Sequence, residues 1–218
     1  MENKKIGIIG SGQVAKVLGA GFIRHGYDVM IGSRDKAKLQ DWRKSSGTDI
    51  GVGTFEEVAS FGEVIVLAIK GVAAEAVVRK VAGHLDGKTV IDTTNPIAEE
   101  PPVNGVLRYF TTLEDSLMER LQKIAPGANF VKAFNSVGNA QMVDPDFKTG
   151  KPTMFICGNS EPARKEVSDI LDKFGWEYAD MGKAEGARAI EPLCMLWCIP
   201  GFLRNEWSHA FKLLQTRA

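Results

Sequence analysis

Residues Lys4 to Arg34, KKIGIIGSGQVAKVLGAGFIRHGYDVMIGSR, constrain this chain more than any other stretch. Ile6, Ile8 and Ile9 form a short β-branched run, the composition of a strand buried on both faces. The run stops at Gly10-Ser11-Gly12, and Val14, Val17, Leu18, Gly21 and Phe22 then follow at helical spacing. The pattern is G-x-G-x-x-A, with Ala15 at the third small position. In a strand–turn–helix unit, Gly10 permits the tight turn and Gly12 lets the backbone approach a pyrophosphate. Ala15 keeps the helix close to the sheet, and the helix N-terminus offers bare N–H groups to phosphate. A Gly-rich match alone is weak, but this one stands between a strand and a helix, the context the motif requires. Gly10, Ser11, Gly12, Gln13 and Val14 are therefore the expected pyrophosphate cradle.

The second strand, Tyr27 to Ile31, ends on a discriminating corner. An NAD site places a carboxylate about 20 residues past the glycines, on the ribose 2′-hydroxyl. Here the corner reads Gly32-Ser33-Arg34, with Lys38 a helical turn further on. A hydroxyl and two cations, Ser33, Arg34 and Lys38, suit a 2′-phosphate and hence NADP(H). Asp35 argues the other way, as a displaced acid for NAD.

The 218 residues suffice for one compact core and one domain, or one and a half. Lys+Arg and Asp+Glu balance at 27 each, so no global field draws the chain to nucleic acid or an anionic membrane. Cys157, Cys194 and Cys198 are an odd count without framework spacing, as expected of a reducing compartment. No apolar run approaches about 18 residues, so a soluble cytoplasmic protein is expected.

Further along, 35–45 reads as a short charged helix with Leu39 and Trp42 inward, and 50–52 as a brief strand. Thr54-Phe55-Glu56-Glu57 resembles a capping box opening a helix of about two turns. Val64 to Ile69 is the clearest buried strand, and 72–82 a helix with Ala76, Val77 and Val81 inside. Thr89 to Thr93 is the next strand, and 97–110 reads as one long irregular piece. A helix is expected over 111–124, with Leu113, Leu117, Leu121 and Ile124 on one face. Strands at 130–134, 154–157 and 176–179 flank a helix at 162–174 opened by Pro162. Strands alternating with helices imply βαβ units, and so an α/β doubly wound parallel sheet. The tail, Ala184 to Leu214, is apolar, with Pro192 and Pro200 as punctuation. It is expected to cap the sheet's own core, roof a cleft or pair with a second copy in a homodimer.

In such a sheet, ligands lie beyond the carboxyl ends of the strands. The residues there, Gly10 to Gln13, Ser33-Arg34, Ile69-Lys70-Gly71, Thr93 to Pro96 and Asn135-Ser136-Val137, are small, amide-bearing or cationic. Neither a carboxylate pair nor a Ser/His/Asp or Cys/His set stands among them, and Asp92 is expected to face inward. No catalytic side chain and no metal ligand is expected. Lys70 has two readings, a surface salt bridge or a cofactor contact. Asn95 before Pro96 is turn chemistry or a nicotinamide contact, the latter preferred. His25, His84 and His209 read as surface or packing residues, and Cys194 and Cys198 as buried thiols.

Four motifs together, G-S-G-Q-V-A, G-S-R, D-T-T-N-P at 92–96 and V-K-A-F-N-S-V-G at 131–138, resemble the coenzyme F420-dependent NADP oxidoreductases and the related cytosolic domain of the Steap metalloreductases. The resemblance implies one NADP-binding Rossmann domain over 1–218, with 184–218 a C-terminal helical segment over the site or at a dimer interface. It implies that Gly10 to Val14 hold the pyrophosphate and that Ser33, Arg34 and Lys38 hold the 2′-phosphate. Ala68, Ile69, Lys70, Asn95 and Pro96 would then flank the ribose and nicotinamide, with Asn135 nearby. The expected activity is hydride transfer between NADP(H) and a small-molecule redox acceptor, either deazaflavin coenzyme F420 or a flavin- or quinone-like ring. A non-enzymatic NADP(H)-sensing or partner-binding module is the alternative. A cavity wide enough for a tricyclic ring separates the two, against a nicotinamide face sealed by Trp or Phe.

Overall fold

The computed structural model describes residues 3–46 and 49–216. The β-branched runs become a six-stranded, all-parallel sheet: β1 (Lys5–Ile9), β2 (Asp28–Gly32), β3 (Gly51–Gly53), β4 (Val64–Leu67), β5 (Thr89–Asp92) and β6 (Asn129–Lys132). Their order is β3-β2-β1-β4-β5-β6. The chain thus winds outward from β1 in one direction and then, from β4, in the other. That reversal opens a crevice at the carboxyl ends of β1 and β4.

Strand side chains alternate between two apolar layers. Ile6, Ile8, Val64, Val66, Ile91 and Val131 point to one face, where they meet α1 (Gln13–Arg24), α2 (Lys36–Ser46) and α6 (Glu161–Lys173). Ile9, Ile65, Leu67, Val90 and Phe130 point to the other, under α3 (Phe55–Phe61), α4 (Gly71–Val81) and α5 (Leu117–Ile124). Both faces are covered, which is why the strands read as continuous apolar runs.

Several expectations need correction. The remaining strands, β7 (Thr153–Ile156) and β8 (Glu177–Asp180), are parallel to each other but leave the main sheet. They join β6 only through an antiparallel bridge, Lys132 to Cys157. The helix expected from 111 begins at Leu117, because Ser116 and Glu119 form a reciprocal capping box there and so fix the first turn. Leu113 consequently lies outside the helix and is 79% exposed. In α4, Ala76 faces solvent, and Ala74, Val78 and Val81 are the inward residues.

The stretch 97–110 is ordered into a hairpin. Val103 and Val106 exchange both backbone hydrogen bonds, and Asn104 and Gly105 between them both have positive φ, 51° and 80°. That is the type I′ turn an Asn-Gly pair favours. Ala98 N donates to Arg108 O and Phe110 N to Pro96 O, so the hairpin closes at its base. The helical part of the tail is α7 (Ala187–Arg204), which runs through both Pro192 and Pro200 and ends at Asn205 in the left-handed region; residues 206–216 continue without helix, so the helical segment is shorter than expected. Two interior prolines oppose a helix. Here the burial of Ile190, Cys194, Trp197 and Cys198 outweighs them. No helix among the described residues is long and apolar enough to cross a membrane.

Candidate functional site

The crevice between β1 and β4 holds a cavity of 630 Å³ lined by Gly10 to Val14, Ser33 to Asp35, Phe55, Ala68 to Lys70, Ala73, Val77 and Thr93. A second cavity of 510 Å³ lies beside it, lined by Ile69 to Val72, Thr93 to Asn95 and Ile97 to Glu99. Ile69, Lys70 and Thr93 line both. The carboxyl ends of β4 and β5 are thus the ridge between two adjoining spaces.

The first cavity is shaped by what its glycines leave out. Gly10 sits at φ +140°, and a Cβ there would lie 2.0 Å from Ala68 O, so the turn closes only on glycine. At Gly12 a Cβ would meet nothing within 4 Å; the missing side chain leaves open space in front of α1. No side chain caps the N-terminus of α1, and its first turn holds no acid. The same is true of α4, which begins at Lys70-Gly71. By contrast α3, α5 and α6 are capped by Thr54, Ser116 and Ser160 and carry acids in their first turns. Two helix ends keep their donors and partial positive charge for whatever occupies the cavities.

At the second strand's corner, Ser33 is buried. Its hydroxyl donates to Ser11 Oγ at 3.2 Å and accepts from Asp35 N at 3.0 Å, tying the corner to the glycine turn. Arg34 and Lys70 are exposed and have no carboxylate partner among the described residues, unlike Lys36, which pairs with Glu57 at 2.6 Å. Among the described residues Lys70 forms no surface salt bridge, and it lines both cavities. The side chain of Lys38 lies outside the described residues.

Of the other expected site residues, Asn95 lines the second cavity, whereas Pro96 and Asn135 line neither. Asn135 nevertheless reaches the site through Asn95: Asn95 Nδ2 donates to Asn135 O at 2.9 Å, and Asn135 Nδ2 donates to Asn95 Oδ1 at 3.2 Å. Phe134, just before it, has φ +61°, a strained value for an aromatic residue. The three histidines stand apart from both cavities, against Asp144 (His25), Ser60 (His84) and Trp197 O (His209). Cys194 and Cys198 are buried, and among the described residues no cluster of His, Cys, Asp or Glu could hold a metal.

The sequence reading missed a buried charge cluster behind the second cavity. Lys132, fully buried on β6, lies 2.6 Å from Asp92 Oδ2 and 2.9 Å from Glu191 Oε1 on α7. Burial pulls the lysine's pKa down, but the two carboxylates outweigh it and the net shift is upward. Beside the cluster, burial pushes the Cys157 thiol up to about 12. The available signal was a lysine inside the apolar run of β6. Register sets it directly opposite Asp92 on β5. A second oversight is Glu99, a carboxylate the hairpin brings to the second cavity.

The comparisons with known proteins agree with this geometry. Residues 5–96 match the family model described as NADP oxidoreductase, coenzyme F420-dependent. Metalloreductase STEAP3 of Rattus norvegicus is 30% identical over 207 residues, 93% of this chain but 39% of that protein, so the chain spans well under half the length of the first curated relatives it matches. An F420-dependent NADP reductase of Methanothermobacter marburgensis is 27% identical over 83% of this chain and 85% of its own length. The crystal structure of a candidate F420-dependent NADP reductase from Arthrobacter sp. FB24 superposes with a TM-score of 0.90 at 27% identity, covering 98% of this chain and 100% of that one. In sequence over residues 5–96, and in fold over nearly its whole length, the chain is similar to the coenzyme F420-dependent NADP oxidoreductases.

Proposed function

We propose that the chain binds NADP(H) in the first cavity and transfers a hydride between the nicotinamide and a planar ring held in the second. The observation that carries the proposal is the junction of the two cavities at Ile69, Lys70 and Thr93. It sets the two spaces side by side, so that a cofactor ring and an acceptor ring can meet there. The residues of the first cavity fit a dinucleotide phosphate: uncapped N–H groups at α1, open space at Gly12, and for the 2′-phosphate Arg34, which has no carboxylate partner among the described residues. Phe55, Ala73 and Val77 supply an apolar wall of the kind a purine packs on.

NADPH when bound supplies two electrons and a proton as hydride, and the acceptor takes a further proton from water. The chain's own contribution is orientation, which for two aligned rings accounts for much of a barrier's reduction. Neither Trp nor Phe lines the second cavity, and its 510 Å³ accommodates a tricyclic ring. This favours an enzyme over a non-enzymatic sensor. Deazaflavin coenzyme F420 is the first acceptor to try, since related proteins carry its name, with flavin mononucleotide and a quinone as substitutes. Exposed Leu196, Phe202, Leu203 and Trp207 support a homodimer as the working assembly.

The test is a fluorescence titration with NADPH and with NADH, followed by anaerobic NADPH oxidation with each acceptor. Tighter binding of NADPH than NADH, and turnover with at least one ring acceptor, is the expected result. Equal affinity for the two cofactors, or no turnover with any ring, would overturn it.

A further inference from the structure

Behind the second cavity the buried charges hold one residue of its wall by every polar group that residue has. Thr94 N and Thr94 Oγ1 both donate to Asp92 Oδ1, at 2.9 and 2.7 Å, and Thr94 O accepts from Lys132 Nζ at 2.9 Å. Thr94 lies between Thr93 and Asn95, and all three line the cavity. Lys132 and Asp92 line neither cavity.

We propose that Lys132 is a positioning residue for the acceptor side of the site, fixing the Thr94-Asn95 edge through Thr94 and Asp92. The inference deepens the proposed NADP(H) function and rests on it for its kinetic arm alone.

The charge arrangement supports a geometric role. A buried ammonium is dearer than an apolar side chain of the same size, and swapping a buried ion cluster for hydrocarbon often costs a fold nothing. Lys132 carries one positive charge against two carboxylates. The surplus on Glu191 is met by the N-terminus of α5, whose Leu117 N and Met118 N donate to Glu191 Oε2 and Oε1 at 3.0 Å each. Asp92 Oδ2 is matched by the lysine's charge and receives no aligned hydrogen bond, so among the described residues Lys132 is its sole counterpart. Removing the ammonium would leave two carboxylates facing one another across the strand end. Asp92 would then be free to turn, and Thr94 with it.

A second tether comes from the same part of α7. Asn135 Nδ2 donates to Ile190 O at 3.0 Å as well as to Asn95 Oδ1, and Ile190 immediately precedes Glu191. One dipeptide of the C-terminal helix therefore holds Lys132 with its side chain and the Asn95–Asn135 pair with its backbone. Asn95 is fixed from both sides, through Thr94 and through Asn135.

The experiment compares Lys132→Met, Thr94→Val and Thr94→Ser with the full-length wild-type chain. The ligand-free readout is the side-chain amide signals of Asn95 and Asn135 in 15N-resolved NMR spectra. Both Lys132→Met and Thr94→Val are expected to shift them, whereas Thr94→Ser, which keeps the hydroxyl, restores the wild-type positions. In the kinetic arm, both disruptive variants should keep the NADPH Kd within about threefold. Their kcat with flavin mononucleotide or coenzyme F420 should fall by roughly ten- to a hundredfold. Unmoved Asn95 amide signals in Thr94→Val and Lys132→Met would overturn the proposal, as would wild-type kcat in both. Should Lys132→Met fail to fold, Lys132→Gln takes its place, and the contrast between Thr94→Val and Thr94→Ser decides the Asp92 link. If the wild-type chain neither binds NADPH nor turns over, the functional reading fails, and the amide signals still decide whether Lys132 positions Asn95.

Discussion

Gly12→Ala separates the phosphate cradle from the fold more cleanly than any other single change. A methyl at Gly12 meets nothing within 4 Å, and the residue's own backbone, φ −77° and ψ −174°, is one any residue adopts. Alanine is a poorer helix N-cap than glycine by about 0.5–1 kcal/mol, and its smaller freedom in the unfolded chain offsets about 0.4–1 kcal/mol of that. The ligand-free midpoint of thermal unfolding should therefore move by no more than about 2 °C, at roughly 2–4 °C per kcal/mol for a chain of this size. The same methyl projects into the space where a pyrophosphate would touch the helix amides. Losing one charge-assisted bond of about 1.5–3 kcal/mol weakens binding by roughly ten- to a hundredfold. NADPH at about 1,000 times its Kd stabilises the wild-type chain by about 4 kcal/mol, and a tenfold to hundredfold weaker site forfeits about 1.4–2.7 of that. In differential scanning fluorimetry the NADPH-induced rise should shrink by roughly 3–11 °C. Gly71→Ala is the opposite control. Its methyl would lie 1.9 Å from Asn95 O, and ordinary contact begins at 3.4 Å, so α4 and the Asn95 loop must part by 3.4 − 1.9 = 1.5 Å. Overpacking of that kind costs about 1–3 kcal/mol, so the ligand-free midpoint falls. A Gly12→Ala protein with wild-type NADPH response would refute the cradle, and a lowered ligand-free midpoint would refute the open space.

Arg34→Ala should weaken NADPH by roughly ten- to a hundredfold and leave NADH within about twofold, read by titration; equal loss for both would remove Arg34 from the 2′-phosphate. Single alanine replacements of His25, His84 and His209 should keep turnover within about threefold, and a hundredfold loss in any one would reveal a proton donor. Glu119 titrates at about 2 in the folded chain, its carboxylate held down first by the hydrogen bonds from Arg188 and then by Ser116. A depressed carboxylate stabilises above its unfolded value of 4.5, and the contribution is lost as pH falls from there toward 2. The linkage amounts to roughly 3 kcal/mol before screening and about 1–2 kcal/mol after it, because Arg188 is partly open to solvent. Urea unfolding of Glu119→Gln should therefore show a deficit at pH 7 that vanishes near pH 2, and a deficit independent of pH would refute the assignment.

The sequence was most legible where one periodicity ruled. Ile6-Ile8-Ile9 and Val64 to Leu67 follow the strand rule because both faces of the sheet are covered, and the glycine turn follows from its place between strand and helix. Ten of the cofactor residues inferred from sequence line the first cavity for that reason. Elsewhere a local signal was outweighed by another. The Leu113-Leu117-Leu121 spacing suggested a longer helix, but Ser116 and Glu119 set its start. Asn104-Gly105 is a hairpin signal, hidden by the two prolines before it. Pro192 and Pro200 read as breaks, and α7 runs through both because its buried side chains fix it. Lys132, Asp92 and Glu191 were illegible as a set: they come from three elements, and only the pairing of β5 with β6 and the return of α7 bring them together.

The return of α7 adds directional contacts to apolar ones. Ala187 and Ile190 join the apolar layer that holds Leu117, Met118 and Leu121 of α5, and charged contacts between the two helices fix their register. Glu191 accepts from the first two amides of α5, and one turn earlier Arg188 grips Glu119 in the third position of that same helix, at 2.7 Å. Residues 188 and 191 are three apart and share a helix face, so both grips act on one line of contact. Apolar contacts tolerate sliding. A carboxylate spanning two amides and a guanidinium forked on a carboxylate do not, because their geometry is directional. The same helix carries Ile190 O to Asn135 and through it to Asn95 at the cavity wall. The directional contacts of α7 are thus spent where small displacements matter most, at the edge of the space in which two rings would have to align.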